Sequence, residues 1–281
     1  MTDGFLLLDK PAGATSHDVV AMVRRRLGIR RVGHAGTLDP FATGLLTLLV
    51  GRCTRLAPFL VGLEKTYEGT MVLGRQTTTD DATGDAVLAS AVSVSDGEVA
   101  GAMYALTGAI KQIPPQFSAK KVDGRTAYRQ ARRGHTVTLA PRAVYVHAFE
   151  LVGREGDTVR FRAHVGSGTY IRALARDIGI RLGCGAHLST LRRTKVGPWS
   201  VAMAPSLAAW SEQPALEPPA QAVTHLPSRA LSSDEVVEVR HGRSVPDGDA
   251  DGPVALFADG DLVAIALARA GTLHPTVVLA A

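Results

Sequence analysis

Strand-like and helix-like segments interleave along this 281-residue chain without a repeating strand–helix–strand unit. The short apolar run at residues 5–8 predicts a buried strand, and apolar positions at helical spacing after Ser16 predict an amphipathic helix that ends at Gly28. Further on, residues 143–151 and 158–165 predict a pair of strands. This order favours an α+β, mixed α/β fold over a doubly wound parallel sheet.

Other segments carry similar signals. Pro40 suits the first turn of a helix, and the apolar run at 45–50 fits either a helix or a buried strand. The remaining predictions are a strand at 67–73, an exposed acidic loop at 80–85, and helices at 96–106 and 170–182.

The C-terminal part has a different character. Five prolines within residues 205–227, four of them between residues 214 and 227, predict a linker. Beyond it, short strand-like segments at 236–239, 254–257, 262–267 and 276–279 are separated by Gly and Asp turns. We therefore expect a first domain over residues 1–224 and a small, mainly-β domain over residues 225–281.

Charge is distributed unevenly along the chain. The net charge is +5, but residues 225–281 hold four arginines and eight acidic residues, which gives −4 there and leaves +9 on residues 1–224. Residues 111–142 hold eight basic residues and a single acidic one. This pattern favours a polyanionic partner, although clustered arginines also fit an ordinary solvated surface.

Several protein classes are disfavoured. The uncharged apolar run at 45–50 is far shorter than the roughly 20 residues that span a bilayer. Residues 1–11 show no basic segment or cleavage site of an export signal, and Cys53 and Cys184 form no C-x-x-C pattern. We expect a cytoplasmic protein that does not associate with membranes.

The most distinctive segment is residues 33–46, Gly-His-Ala-Gly-Thr-Leu-Asp-Pro-Phe-Ala-Thr-Gly-Leu-Leu. It lacks the Gly-Lys-Ser/Thr of a P-loop and the glycine spacing of a dinucleotide-binding turn. Asp39 precedes Pro40 and is either the N-cap of a helix that begins there or a carboxylate presented to a ligand, as nucleophile or base.

This segment resembles the catalytic motif of the TruB family of tRNA pseudouridine synthases. Further family motifs are matched in order by residues 7–11 (Leu-Leu-Asp-Lys-Pro), 65–67 (Lys-Thr-Tyr), 114–132, 167–172 (Ser-Gly-Thr-Tyr-Ile-Arg) and 185–193. The resemblance extends from about residue 5 to residue 199. It implies a pseudouridine-synthase-type fold, in which helices flank a mixed, mainly antiparallel sheet, with a PUA-like C-terminal domain.

The family isomerises the T-loop uridine at tRNA position 55, breaking the N-glycosidic bond and rejoining the base through carbon, with no metal and no cofactor. The resemblance implies the same activity here, with the T-arm of tRNA as partner, no obligate protein partner and a monomeric enzyme. It assigns Asp39 as the essential carboxylate. Attack on the uracil ring, attack on the sugar C1′ and a steered elimination all remain open.

Two further catalytic residues are implied by the resemblance. Arg172 would pair with Asp39 and keep its carboxylate ionised, whereas spacing alone also fits a surface arginine on a helix. Tyr67 would stack on the displaced uracil or take a proton from C5, whereas spacing alone also fits a half-buried tyrosine of a strand.

Three residues match family positions that contact the substrate. Lys10 and Leu191 match positions near the uracil pocket, and His34 matches one that contacts RNA or keeps the uridine flipped out. In isolation they read as a turn lysine, a core leucine and a structural histidine. No ligand set at metal-binding spacing surrounds His34, so we expect no metal.

The basic segment at 111–142 matches the RNA-binding insertion of the family. Extruding a stacked uridine costs a few kcal/mol, which contacts to the RNA backbone would offset. The residues expected to clamp T-arm phosphates are Lys120, Lys121, Arg125, Arg129, Arg132 and Arg133. Phe117 and Tyr128 offer aromatic faces, although a solvated basic helix with two packed aromatics would show the same pattern.

Two other functions compete with this hypothesis. A non-catalytic RNA-binding or tRNA-folding protein on the same scaffold would keep the cleft without the chemistry. An aspartate-nucleophile hydrolase or phosphotransferase is disfavoured, because neither a second carboxylate at Asp-x-Asp spacing nor a metal-ligand set accompanies Asp39. We expect the acidic C-terminal domain to contribute little RNA affinity, because it would repel the phosphates.

Overall fold

The computed structural model describes residues 3–117, 121–122, 125–126, 138–246 and 251–279. Its α-helices are α1 (Ser16–Leu27), α2 (Ala57–Val61), α3 (Asp96–Tyr104), α4 (Ile171–Arg181), α5 (Leu207–Glu212) and α6 (Ser233–Arg240). Its first strands are β1 (Gly4–Lys10), β2 (Val32–His34), β3 (Thr43–Val50), β4 (Lys65–Leu73), β5 (Arg75–Thr77), β6 (Ala86–Ala89), β7 (Gly108–Gln112), β8 (Lys121–Val122) and β9 (Arg125–Thr126). The others are β10 (Arg142–Glu155), β11 (Thr158–Val165), β12 (Ala186–Val196), β13 (Trp199–Ser200), β14 (Ser228–Ala230), β15 (Val245–Pro246), β16 (Gly252–Ala258), β17 (Asp261–Arg269) and β18 (Thr272–Val278).

The chain divides into two units whose bounds differ from the two predicted domains. The first unit comprises residues 1–40, 44–62 and 197–281, and the second comprises residues 41–43 and 63–196. The C-terminal sheet and the N-terminal strands therefore belong to one unit. The described residues of the basic insertion belong to the other unit.

In the first unit, β3 is a central strand. It pairs antiparallel with β1, from Gly4 opposite Val50 to Lys10 opposite Gly44, and β2 pairs with its other edge. Pairing on both edges explains why the run at 45–50 is buried and almost wholly apolar. The prediction of a helix that begins at Pro40 is wrong, because strand β3 begins only three residues later, at Thr43.

The first helix forms as predicted, with its cap one residue earlier. The Thr15 hydroxyl accepts a hydrogen bond from the Asp18 backbone N–H, and the Asp18 carboxylate accepts one from the Thr15 backbone N–H. At the other end, Gly28 adopts a left-handed conformation with φ of 68°, which terminates the helix. Because Thr15 is the N-cap, Ser16 does not cap the helix, and Ser16 is buried.

The segment at 205–227 is not the linker that its prolines predict. It contains α5, whose Trp210 is 3% exposed and donates its indole N–H to the Ala215 carbonyl at 2.8 Å. Phe5 and Glu217 also exchange two backbone hydrogen bonds of 2.9 Å. The segment is therefore packed through its buried tryptophan and its backbone pairing, and Pro219 begins a short 3-10 helix in it.

The C-terminal sheet has the strand order β14-β16-β17-β18-β15 in the described residues. β14 and β16 are parallel, and the other neighbours are antiparallel. Its core contains Val254, Leu256, Val263 and Leu273. The three later strand predictions are confirmed, but residues 236–239 lie in α6, where a capping box between Ser232 and Glu235 starts a helix.

The second unit is built on the antiparallel strand order β12-β4-β11-β10-β7. The predicted hairpin is confirmed as β10 and β11, and the predicted helices are confirmed as α3 and α4. β12 was not predicted as a strand, and it pairs with β4. In the described residues, β5 with β6 and β8 with β9 form separate two-stranded hairpins.

Helix α4 lies directly against the beginning of β12. A Cβ atom built on Gly179 would lie 2.1 Å from the Ala186 nitrogen, far closer than any real contact. The Gly185 N–H also donates to the Gly179 carbonyl at 3.0 Å. Only glycine allows this backbone-to-backbone approach.

Mixed α and β structure with mainly antiparallel sheets and a C-terminal mainly-β part confirms the predicted fold class. Within the described ranges, no helix has the length and apolar character needed to cross a membrane. Cys53 and Cys184 are buried and not disulfide-bonded. Burial raises the pKa of the Cys53 thiol to about 12, so this cysteine is no nucleophile at neutral pH.

Candidate active site

Asp39 lies in an irregular, half-buried segment between β2 and β3. No helix begins at residues 40–42, which the structure describes fully, so the helix-capping interpretation of this aspartate is wrong. The remaining interpretation is a carboxylate presented by a loop.

The residues on both sides of Asp39 are held by hydrogen bonds to their backbone atoms. Before it, the Leu38 N–H donates to Ser16 Oγ at 2.8 Å, and the same hydroxyl lies 3.1 Å from the Leu38 carbonyl. After it, the Pro40 carbonyl accepts a 2.8 Å hydrogen bond from the Gly13 N–H. The backbone of the loop is therefore held in place on both sides of the carboxylate.

Lys10 contributes to the same anchoring. Its side chain is fully buried, and its Nζ donates to the carbonyls of Pro11, Ala14 and Pro40 at 2.8, 2.6 and 3.3 Å. Three carbonyl dipoles compensate for the burial of this ammonium group. The structure thus brings Lys10 to the segment of Asp39, whereas His34 ends β2 with its ring 6.4 Å from the ring of His17.

Tyr67 and Leu191 come together on one face of the second unit. On β4, Tyr67 lies opposite Arg193 of β12, and Gly69 lies opposite Leu191. Side chains two residues apart on a strand share a face, so the two predicted residues are diagonal neighbours on adjacent strands. Both are largely buried, at 8% and 7% exposure.

Lys65 begins the strand of Tyr67 and shares its face. Its Nζ donates to the Leu63 carbonyl at 2.6 Å. Burial, and secondarily the positive charge of Arg193, lower the pKa of Lys65 to about 8.

This shift predicts a pH dependence of stability. Between pH 8 and the ordinary lysine value of 10.5, the unfolded chain binds the proton that the folded chain has released, so the free energy of unfolding rises with pH. The full gain is about 3 kcal/mol. Urea unfolding across this pH range should show the rise in the native chain and a flatter profile in Lys65→Met; equal slopes would contradict the assignment.

Arg172 lies in the first turn of α4 and is only 5% exposed, so the surface-arginine interpretation is wrong. Its Nη1 donates to the Thr79 carbonyl at 3.0 Å and lies 3.6 Å from the Asp81 carboxylate. Its Nη2 donates to the Phe117 carbonyl at 2.8 Å. A guanidinium held by several fixed acceptors keeps its orientation.

The loop that holds Arg172 was predicted to be exposed, and this is wrong for two of its residues. Asp80 and Asp81 are buried, and the Asp81 carboxylate accepts hydrogen bonds from Thr79 and Thr83. Asp80 pairs with Arg176 at 3.1 Å. Burial raises the pKa of Asp80 against the opposing effect of the two arginines of α4.

Asp81, whose carboxylate lies beside the Arg172 guanidinium, is a candidate positioning residue that sequence reasoning missed. Its partner Arg172 lies 91 positions later in the chain, so no local pattern marks it. The one available signal was that threonines flank this aspartate, since Thr and Asp side chains often hydrogen-bond to the backbone of a turn.

Comparison with known proteins decides the family. A family model described as TruB family pseudouridylate synthase (N terminal domain) matches residues 24–171. A second, described as tRNA pseudouridylate synthase B C-terminal domain, matches residues 172–213. The chain is also 49% identical over 291 residues to tRNA pseudouridine synthase B of Thermobifida fusca (strain YX), covering 100% of this chain and 99% of that one. The chain belongs to the TruB family.

Other TruB-family relatives and solved structures agree. The tRNA pseudouridine synthase B of Arthrobacter sp. (strain FB24) is 45% identical over 298 residues, covering 100% of this chain and 97% of that one. A chain in the structure of an H/ACA RNP bound to a substrate RNA containing 2′-deoxyuridine superposes with a TM-score of 0.76 at 27% identity, over 99% of this chain and 85% of that one. A chain in the crystal structure of a Cbf5-Nop10-Gar1 complex superposes with a TM-score of 0.73 at 30% identity, over 95% of this chain and 78% of that one.

The RNA-clamping residues of this TruB-family chain stay a prediction. Lys121 and Arg125 belong to the β8–β9 hairpin, for which the structure describes the backbone. The other members, Lys120, Arg129, Arg132 and Arg133, lie outside the described residues.

Proposed function

We propose that this chain converts the T-loop uridine at tRNA position 55 to pseudouridine after flipping it out of the RNA stack. Asp39 is the essential carboxylate, Arg172 the active-site guanidinium and Tyr67 the residue that stacks on the base. The observation that carries the proposal is the anchored, non-helical segment around Asp39, in a chain that aligns over its whole length with a relative named tRNA pseudouridine synthase B.

The reaction breaks the C1′–N1 bond of uridine, turns the base and forms a C1′–C5 bond; C5 loses its proton, and the freed N1 takes one up. Atoms and oxidation state balance without a redox partner, so an anchored carboxylate and a proton acceptor satisfy the chemistry. Because neighbouring backbone groups already hold the loop, the carboxylate needs little rearrangement when substrate arrives. Lys10 is a positioning residue for Asp39, since its Nζ donates to the carbonyls of Ala14 and Pro40.

The flipped base needs a surface to replace the stacking that it loses. Tyr67 and Leu191, diagonal neighbours on β4 and β12, offer an aromatic ring beside an aliphatic side chain. Stacking on an aromatic side chain is worth about 1–3 kcal/mol per base, which matches the cost of extrusion. The basic insertion supplies the remaining affinity through phosphate contacts.

The proposal is tested by tritium release from C5 of uracil in a T-arm RNA hairpin, with RNA binding measured separately. The purified chain alone should release one tritium per hairpin, because we propose a monomeric cytoplasmic enzyme without an obligate protein partner. Binding without release would favour the non-catalytic RNA-binding function. Release only after adding another protein would contradict the claim that no partner is required.

Replacing Tyr67 with leucine should lower the rate of tritium release about 100-fold or more, because neither the ring nor the hydroxyl remains. Tyr67→Phe then separates the two roles in the same assay, since it keeps the ring and removes the hydroxyl. A small loss in Tyr67→Phe assigns stacking, and a loss equal to that of leucine assigns proton transfer. Full activity of the leucine variant would contradict both roles.

Neutralising the insertion should flatten the salt dependence of RNA binding. With Lys120, Lys121, Arg125, Arg129, Arg132 and Arg133 changed to glutamine, the slope of log K against log salt should fall by about 0.9 for each duplex phosphate that the insertion no longer neutralises. Filter binding over a range of salt concentrations measures this slope. An unchanged slope would favour the solvated-helix alternative, and Arg269→Gln in the acidic C-terminal region serves as the control.

A further inference from the structure

Three side chains with no part in the isomerisation meet at one end of the second-unit sheet. Glu64 immediately precedes β4, His147 lies in β10 and His164 lies in β11. The His147 Nε2 is 2.9 Å from Oε1 of Glu64, and the His164 Nε2 is 2.9 Å from Oε2 of the same carboxylate. In the described part of the chain this is the one group of three His, Cys, Asp or Glu residues whose ligand atoms all lie within 4.8 Å of one another.

A β-bulge produces this arrangement. Val146 pairs with Val165 and Ala148 pairs with His164, so His147 is the extra residue on β10. A bulge redirects a side chain that regular pairing would place elsewhere. The redirected imidazole stacks on that of His164, with ring centroids 4.6 Å apart and planes 28° from parallel.

The stacking also orders the two imidazoles. The ring centroid of Tyr145 lies 4.7 Å from that of His147 on the same strand, so His147 has two aromatic neighbours. Both Nε2 atoms point at one carboxylate. The donor atoms of the three side chains are therefore gathered before any ligand binds.

We propose that Glu64, His147 and His164 form a binding site for a divalent transition-metal ion of the Zn²⁺ class. Two imidazole nitrogens and a carboxylate oxygen are a ligand set that Zn²⁺ accepts, with the fourth position open to water. Zn–N and Zn–O bonds of about 2.0–2.2 Å place tetrahedral ligand atoms about 3.4 Å apart, which is the scale of this cluster.

The surroundings fit an ion that enters from solvent. The side chains of Glu64, His147 and His164 are 51%, 31% and 40% exposed. Imidazole ligands favour Zn²⁺, Ni²⁺ or Cu²⁺ over the oxygen-seeking Mg²⁺. An ion bound here would link Glu64, immediately before β4, to β10 and β11. Because Glu64 lies three residues before Tyr67, the ion would stabilise the strand that carries Tyr67.

The test uses the full-length protein after removal of metal with a chelator. Calorimetric titration with ZnCl₂ should show one ion bound per chain, and CoCl₂ should give the visible absorption of a tetrahedral ion, whereas MgCl₂ should not bind at this site. His147→Ala, His164→Ala and Glu64→Gln should each weaken Zn²⁺ binding at least about tenfold. His241→Ala, which removes an exposed histidine after α6, should leave binding unchanged.

Thermal unfolding supplies a second readout that does not depend on isomerase activity. Zn²⁺ should raise the unfolding midpoint of the native chain and of His241→Ala, and have little effect on His147→Ala. Should an alanine variant unfold, Glu64→Gln, which keeps the shape of the side chain, still reports on the site. Absence of one-to-one Zn²⁺ binding, or equal binding by all variants, would overturn the proposal.

Discussion

Asp39→Asn is expected to lower the rate of tritium release from the T-arm hairpin by at least about 10³-fold. Asparagine keeps the shape of aspartate and removes both its charge and its nucleophilic oxygen. The anchoring bonds of this loop, from Ser16 and Gly13, go to backbone atoms of the neighbouring residues. The loop should therefore keep its conformation, and RNA affinity should change little.

A matched variant separates this effect from a general effect of losing a carboxylate. Asp157 is exposed in the turn between β10 and β11, and Asp157→Asn should leave both release and affinity unchanged. The prediction fails if Asp39→Asn keeps a tenth or more of the native rate. A parallel loss of RNA binding would instead indicate that the substitution disturbs the fold of the loop.

Arg172→Met is expected to lower the free energy of unfolding by about 3–5 kcal/mol and to abolish isomerisation. The substitution leaves the carboxylate of Asp81, whose side chain is 6% exposed, buried without its cation. It also removes the donors that bind the carbonyls of Thr79 and Phe117. Carbonyl oxygens that lose their hydrogen-bond donor further lower the free energy of unfolding.

Urea unfolding measures this loss, and Arg181→Met on the exposed side of the same helix should change stability by less than about 0.5 kcal/mol. In an Asp81→Asn background the cost of Arg172→Met should fall, because no buried charge is left behind. Equal costs in the two backgrounds would show that Asp81 and Arg172 are not coupled.

Sequence patterns predicted the elements whose signal is local. Helix α1 has a capping residue, an apolar face and a terminal glycine, and the β10–β11 hairpin has strand alternation about a glycine turn. Helix α6 was mistaken for a strand because its run of valines outweighed the Ser232 and Glu235 capping box, which was equally visible.

Features that depend on distant partners could not be predicted. The apolar sequence of residues 45–50 fits a helix as well as a strand. The segment is a strand because β1 and β2 pair with its two edges. Asp80 and Asp81 are buried because arginines of α4 pair with them. For Asp39, the family motif gave the residue as a candidate, and only the structure shows that Ser16 and Gly13 hold the backbone of its two neighbours in the chain.

The absence of a side chain at Gly179 has a consequence for motion. Where a helix and a strand touch through side chains, rotamer changes allow each to shift a little without the other. Here the two backbones meet directly, and the Gly185 amide is bonded to the Gly179 carbonyl. We therefore expect helix α4 and strand β12 to open together in hydrogen exchange, so that Arg172 on the helix and Leu191 on the strand become mobile in the same event.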